Sequence, residues 1–269
     1  MAHEPTPPRG LSRPGVWARG AAGVAVLFLA SELLGRAGIV DRSFLPPASS
    51  ITARAFELAG DTEFLFNVRV TLTAWALGLL IACAVAIPLG LLLGSVPAVN
   101  TGVRAIVEFL RPIPSVALIP LAALVLGSGL EMEVPLIVYA SSWPILFNTI
   151  YGLDDVDPTA KETLRSFGFS RFQVLLRVSL PSAAPFIATG VRLAASIALI
   201  LAVGTEILSG FGDGLGMFIA TAGNVPDGTT DVLAGTVWAG CLGLIIDTVL
   251  GQGEDRVFRW HKAQRSGAS

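Results

Sequence analysis

Histidine, cysteine and charge are all scarce in this chain. Its two histidines, His3 and His261, fall one in each terminal tail, where they are read as solvated side chains and not as ligands or catalytic bases. Its two cysteines, Cys83 and Cys241, both sit inside apolar runs, so neither a disulfide framework nor a cysteine metal site is expected. Only 14% of the 269 residues are charged, against about 25% in an ordinary soluble domain. The formal net charge is −2 and no basic stripe is present, which argues against nucleic acid as a partner. No Gly-x-x-x-x-Gly-Lys-Ser/Thr stretch occurs, so the chain offers no nucleotide site of its own. Without a cluster of His, Asp or Glu at one point, an integral membrane enzyme is disfavoured.

What is present is apolar. Hydrophobic residues make up 53% of the chain and the mean hydropathy is +0.70. A chain this short has no single core large enough to hide that surface, and lipid is the solvent that suits it. A spanning helix needs about 20 mostly apolar residues. Six such stretches are legible: Trp17 to Leu34, Val68 to Leu93, Val103 to Leu126, Val134 to Tyr151, Pro185 to Leu208 and Val232 to Leu250. The expected fold class is therefore an all-α membrane protein with six transmembrane helices. Arg9, Arg13 and Arg19 ahead of Ala21 to Ala30 imitate a signal peptide, but Ser31-Glu32-Leu33-Leu34 continues the helix where a cleavage site would stand.

Arginine and lysine in short loops set orientation. They occur in the amino tail, between spans four and five (Lys161, Arg165, Arg171, Arg177) and in the carboxyl tail (Arg256, Arg259, Lys262, Arg265). The loops Ser128 to Glu133 and Ser209 to Asp231 have none. This predicts both termini and the central loop in the cytoplasm of an inner-membrane, multi-pass protein. Residues 1–16 read as a cytoplasmic tail with an irregular Pro-rich start (Pro5 to Pro14), 17–254 as the transmembrane domain with a core over 65–254, and 255–269 as a second tail. The outer loop Gly35 to Asn67 dissents, since it carries Arg36, Arg42 and Arg54; its stretch Ser49 to Leu58 reads as a surface helix capped by Ser49 or Ser50.

The most informative segment, 157–181, lies between spans four and five. Asp157 suits a helix cap, Pro158 the first helical position and Gly168 the left-handed residue that ends a helix. Glu162 and Arg165 stand three apart and can pair along one side. Ser170 and Gln173 have capping-box spacing for a second helix. Phe172, Leu175, Leu176 and Val178 give that helix an apolar side, and Pro181 and Pro185 are expected to stop it before span five. A plain connector needs neither caps nor an apolar face, so the segment reads as a docking element.

The spacing Glu162, Gly168, nine residues, then Val178-Ser179-Leu180-Pro181 resembles the EAA loop of ATP-binding-cassette importer permeases. Thr163-Leu164 replaces the two alanines of that pattern. Arg111-Pro-Ile-Pro-Ser-Val-Ala-Leu-Ile-Pro120, Trp143-Pro-Ile-Leu-Phe-Asn-Thr149, Gly152-Leu153 and Gly190-Val-Arg192 are similar to the type I subfamily that imports nitrate, sulfonates, taurine and related molecules. The resemblance, over about residues 45 to 260, implies a permease subunit that is not itself an enzyme. It implies a second permease subunit in a homodimer, two cytoplasmic ATPase subunits that bind the ATP and magnesium, and an external substrate-binding protein. By position it makes the helix from Glu162 to Gly168 the coupling helix. Glu162 and Arg165 become polar contacts to the ATPase, Leu164 and Phe167 apolar contacts, Gly168 the turn, and Pro181 the end of the motif.

Other features are read more simply. Gly210-Phe-Gly-Asp-Gly-Leu-Gly216 suggests a flexible outer gate or loop and not a phosphate cradle. Glu108 with Arg111, Arg192, Glu206 and Asp247 are assigned structural or interfacial roles, because charge in lipid is costly. Pro112 and Pro114, which break the ladder of span three, and Ser141, Ser142 and Asn148 on span four are the candidates for the pathway wall. An ion-coupled secondary transporter is the alternative; it predicts an inverted repeat and paired carboxylates near the midplane, and neither is seen.

Overall fold

The computed structural model describes residues 13–37 and 43–258. Both histidines and most of both tails lie outside the described residues. The chain is helical almost throughout: α1 Arg13–Arg36, α2 Ala48–Leu58, α3 Thr62–Ser95, α4 Pro97–Leu110, α5 Ile119–Leu126, α6 Leu130–Asp154, α7 Pro158–Ser166, α8 Arg171–Val174, α9 Leu180–Ser209, α10 Leu215–Gly223 and α11 Thr229–Val257. Helix α1 begins at Arg13, so Pro14 is helical and not part of an irregular start; proline is tolerated in a first turn, where its missing N–H has no intrahelical role. At the other end α11 carries on through Val257, past the expected limit at 254.

Among the described residues four helices are long and apolar enough to cross a membrane: α3, α6, the rod Arg171–Ser209 and α11. They contain the second, fourth, fifth and sixth expected spans. The expected third span is not continuous. Helix α4 ends at Leu110, a turn follows, Ser115–Leu118 forms one 3₁₀ turn, and α5 is only 8 residues long. The cause is local. Pro112 and Pro114 each lack an amide donor, and Pro114 is extended at φ −66°, ψ 117°. The phenol of Tyr139 on α6 donates to the Leu110 carbonyl at 2.7 Å, occupying an acceptor that the broken helix leaves free.

Helices α3, α6 and α9 form the centre. Ala74, Ala82, Ala86, Ala140, Ala194, Ala195, Ala198 and Ala202 are buried between them. Lipid supplies no hydrophobic drive between helices, so small side chains that permit close backbone approach do the packing. A β-carbon on Gly90 would lie 2.7 Å from the Thr149 β-carbon, which measures how tightly α3 meets α6. The Trp75 indole donates to Ala195 O at 2.9 Å and ties α3 to α9.

The segment between α1 and α3 is anchored. Arg54 on α2 pairs with Asp231 of α11 at 2.5 Å and with Glu57 at 3.0 Å; these hydrogen bonds hold the guanidinium above the ordinary arginine value. Trp238 donates to Ala55 O at 2.9 Å. Neither Ser49 nor Ser50 is the cap of α2. The flanking residue is Pro47, and Glu32 of α1 takes the cap's place by accepting from Ser49 N at 2.9 Å and Ser49 Oγ at 3.0 Å. A carboxylate at a helix N-terminus is favoured by the free amides and the dipole there.

Candidate functional site

Helix α7 stands apart from the bundle. Asp157 accepts from the Thr159 amide at 2.8 Å and Pro158 occupies the first turn, as its sequence predicts. At the far end Gly168 has φ +83°. Its amide donates to Arg165 O at 2.9 Å, and the Phe169 amide donates to Leu164 O at 3.2 Å. Those two bonds make a Schellman stop, which satisfies the last carbonyls and needs a left-handed residue at Gly168. The helix is held to the bundle by Lys161, whose ammonium donates to Leu153 O at 3.0 Å near the end of α6, and by the short connector in which Val156 is buried.

The exposed face of α7 carries Glu162, Arg165 and Phe167, with Leu164 half-buried; Phe167 is 78% exposed. Glu162 and Arg165 do not form the ion pair their spacing allows; both are exposed, Arg165 at the edge of the space behind α7. Ser170 and Gln173 complete the expected capping box, at 3.3 and 2.9 Å. Phe172 and Leu176, beside α7, are also exposed.

Pro181 and Pro185 do not stop the second helix, contrary to the sequence reading. Helix α8 passes through a π turn, Leu175–Ser179, directly into α9. A proline ring collides with the carbonyl four residues earlier in a regular helix. The wider π turn just before Pro181 relieves that collision, so the rod continues. The rod that starts just after α7 thus runs unbroken into the centre of the bundle. The Arg177 guanidinium, 4.9 Å from the Phe169 ring centroid, braces the corner.

The family described as binding-protein-dependent transport system inner membrane component matches residues 86–258. The chain belongs to that family. A putative ABC transporter permease protein of Methanocaldococcus jannaschii is 34% identical over 209 residues, 77% of this chain and 78% of its own length. The taurine transport system permease protein TauC of Escherichia coli K12 is 29% identical over 228 residues, 83% of this chain and 82% of its own. A solved inward-facing structure of the MetNI methionine ABC transporter shares the fold, with TM-score 0.62 and 20% identity over 72% of this chain and 95% of that one. The chain is accordingly a membrane permease of the ATP-binding-cassette importer class.

The permease meets its charged side chains in several ways, by an ion pair, a ring contact and neutral donors. Arg192 forks onto Asp247 at 2.6 and 2.8 Å, joining α9 to α11, and Thr189 donates to Glu254 at 2.8 Å beside it. Arg111 lies 4.5 Å from the Phe147 ring centroid. Glu206, 1% exposed, clasps the loop between α9 and α10. Its Oε2 accepts from Thr71 Oγ1 at 2.9 Å and from the Gly216 amide at 2.7 Å; Thr71 Oγ1 in turn accepts from the Leu215 amide at 2.8 Å, and Asn67 from the Gly214 amide at 2.8 Å. The glycine-rich stretch is anchored at its far end, where Gly214, Leu215 and Gly216 are buried and a β-carbon on Gly214 would fall on the Glu206 carboxylate, while residues 210–213 form an exposed loop.

Two features escaped the sequence reading. Glu133, expected in an outer loop, is in the first turn of α6 and only 2% exposed, within electrostatic reach of Glu206. Tyr139, Trp143, Phe147 and Tyr151 form a ladder along α6, with centroids 5.7, 6.4 and 6.2 Å apart. Their spacing of four was the available signal. The pathway candidates are scattered. Pro112 and Pro114 are exposed at the α4 break. Ser141 is buried, its hydroxyl 3.4 Å from Ala194 O on α9. Ser142 donates to Val138 O at 2.6 Å within its own helix, and Asn148 donates to Pro144 O at 2.8 Å where α6 meets Gly190.

Proposed function

We propose that this permease forms one half of the solute pathway of an ATP-driven importer and that α7 is its coupling helix. The observation that carries this reading is an exposed nine-residue helix, capped at both ends and joined through an unbroken rod to the central helices. Two cytoplasmic ATPase subunits, which bind the ATP and magnesium, hold α7 in surface grooves. Glu162 and Arg165 supply polar contacts, Leu164 and Phe167 apolar ones. Closure of the ATPase pair moves α7 as a lever, and the spans rock between inward-open and outward-open arrangements. The second permease subunit is another copy of this chain, and both termini face the cytoplasm. An external binding protein delivers a small solute of the taurine, sulfonate or nitrate kind, consistent with the motif resemblance and the taurine permease relative. The wall of the pathway is placed at the Pro112–Pro114 break and the α6 face beside it.

The test is co-purification from the native membrane. Tagged permease is expected to carry an ATPase subunit, and replacement of Glu162 by Lys or Gly168 by Val is expected to reduce capture at least tenfold while the permease remains monodisperse. Uptake that persists after every ATPase partner is deleted would refute the reading.

A further inference from the structure

A cavity of about 520 Å³ lies behind α7, between it, the end of α3, the end of α6 and the start of the α8–α9 rod. Its rim carries Lys161, Arg165 and Arg171, and no acidic residue lines it. Neither Arg165 nor Arg171 forms an ion pair among the described residues. Lys161 is already fixed on Leu153 O, which sets one positive charge at the cavity wall. The floor is apolar: Leu153, Val174 and Leu175, the first two buried. Apart from α7, its walls come from the ends of helices long and apolar enough to span the membrane, and Ser95 and Leu153 lie just past Leu93 and Tyr151, the ends expected for two of the spans, where headgroups would be met.

We propose that this cavity binds the headgroup of an anionic membrane phospholipid. Lys161 and Arg171 take the phosphate, Arg165 stands at the rim where the ATPase contact begins, and the apolar floor takes the glycerol backbone and the first methylenes. Its volume is that of a pocket for a ligand well above the size of a free phosphate, and a site for a soluble anion has no use for the apolar floor. Basic pockets between spans at a cytoplasmic surface are suited to such headgroups. Positive charges that meet no acid within the protein are complemented by the lipid. Because the cations come from α7 and α8 while the floor comes from the spans, the bound lipid stiffens the joint between the lever and the bundle. The inference rests on the reading that α7 faces the cytoplasm.

Native mass spectrometry of the full-length permease in detergent, titrated with phosphatidylglycerol or phosphatidylcholine, tests it. A saturable phosphatidylglycerol adduct is expected, weakened about fivefold by Arg171→Gln and again by Lys161→Gln, retained in Arg171→Lys, and unchanged in Arg69→Gln near the opposite end of α3. Equal binding of the two lipids, or adducts indifferent to Arg171→Gln, would overturn the proposal. So would displacement by inorganic phosphate alone, which would make the site one for a soluble anion, or loss of the adduct when the ATPase is bound, which would make the cavity part of the ATPase groove. Capture of the ATPase by the unmodified chain is read separately, so failure here is distinct from failure of the coupling role.

Discussion

Gly168 and Thr71 show how much of this molecule rests on single side chains. At Gly168 the φ of +83° lies in the region L-residues avoid, and the conformation costs a side chain about 1–2 kcal/mol. Gly168→Ala is therefore expected to loosen the end of α7 and lower ATPase capture without unfolding the bundle, measurable as partial capture with an unchanged melting temperature. Gly168→Asn, which tolerates the left-handed region, is expected to recover most of it. Thr71 acts differently. Its hydroxyl donates to Glu206 and accepts from Leu215, so Thr71→Val strands the buried Leu215 amide and leaves Glu206 Oε2 with the Gly216 amide alone. Leaving buried polar groups unpaired costs about 1–3 kcal/mol. Thermal unfolding in detergent should show that loss, and Thr71→Ser should restore it. The glycines of 210–216 were legible as special, but the reason for the last two was not: the partner that demands Gly214 and Gly216, Glu206, is fixed by a fold-back that no local pattern encodes.

At the level of elements, proline had opposite consequences at two places. Pro112 and Pro114 end α4, while Pro181 and Pro185 leave the α8–α9 rod intact. The sequence announces the missing donors in both cases. It does not announce the π turn Leu175–Ser179, since one extra residue in a turn has no composition signature. Caps were fully legible, because Asp157, Gly168, Ser170 and Gln173 act on backbone groups within a few residues. The cap of α2 was not, because Glu32 comes from another helix. If the π turn sets the direction of the lever, deleting Leu176 should rotate α8 and α7 by roughly 100° relative to α9. The expected result is a folded permease with native helix content by circular dichroism that no longer captures its ATPase. Full capture by the deletion would show that the turn has no directional role.

For the whole molecule, the account joins a lipid-embedded bundle of small residues to one exposed helix. Apolar runs made the bundle legible, and the spacing of Asp157, Pro158 and Gly168 made the capped helix α7 legible. The face of α6 was read less well: Ser141 and Asn148 look available as polar residues in a span, yet both are turned toward α9, and the helix phase that decides this depends on which neighbours pack where. The central claim is that α7 touches an ATPase on the cytoplasmic side. The direct measurement is cysteine cross-linking in intact cells, with Cys83 and Cys241 replaced by Ser and a single cysteine introduced by Arg165→Cys. The account predicts a cross-link to a nucleotide-hydrolysing subunit and no labelling by a membrane-impermeant thiol reagent added outside. Labelling from outside, with no cross-link to such a subunit, would contradict it.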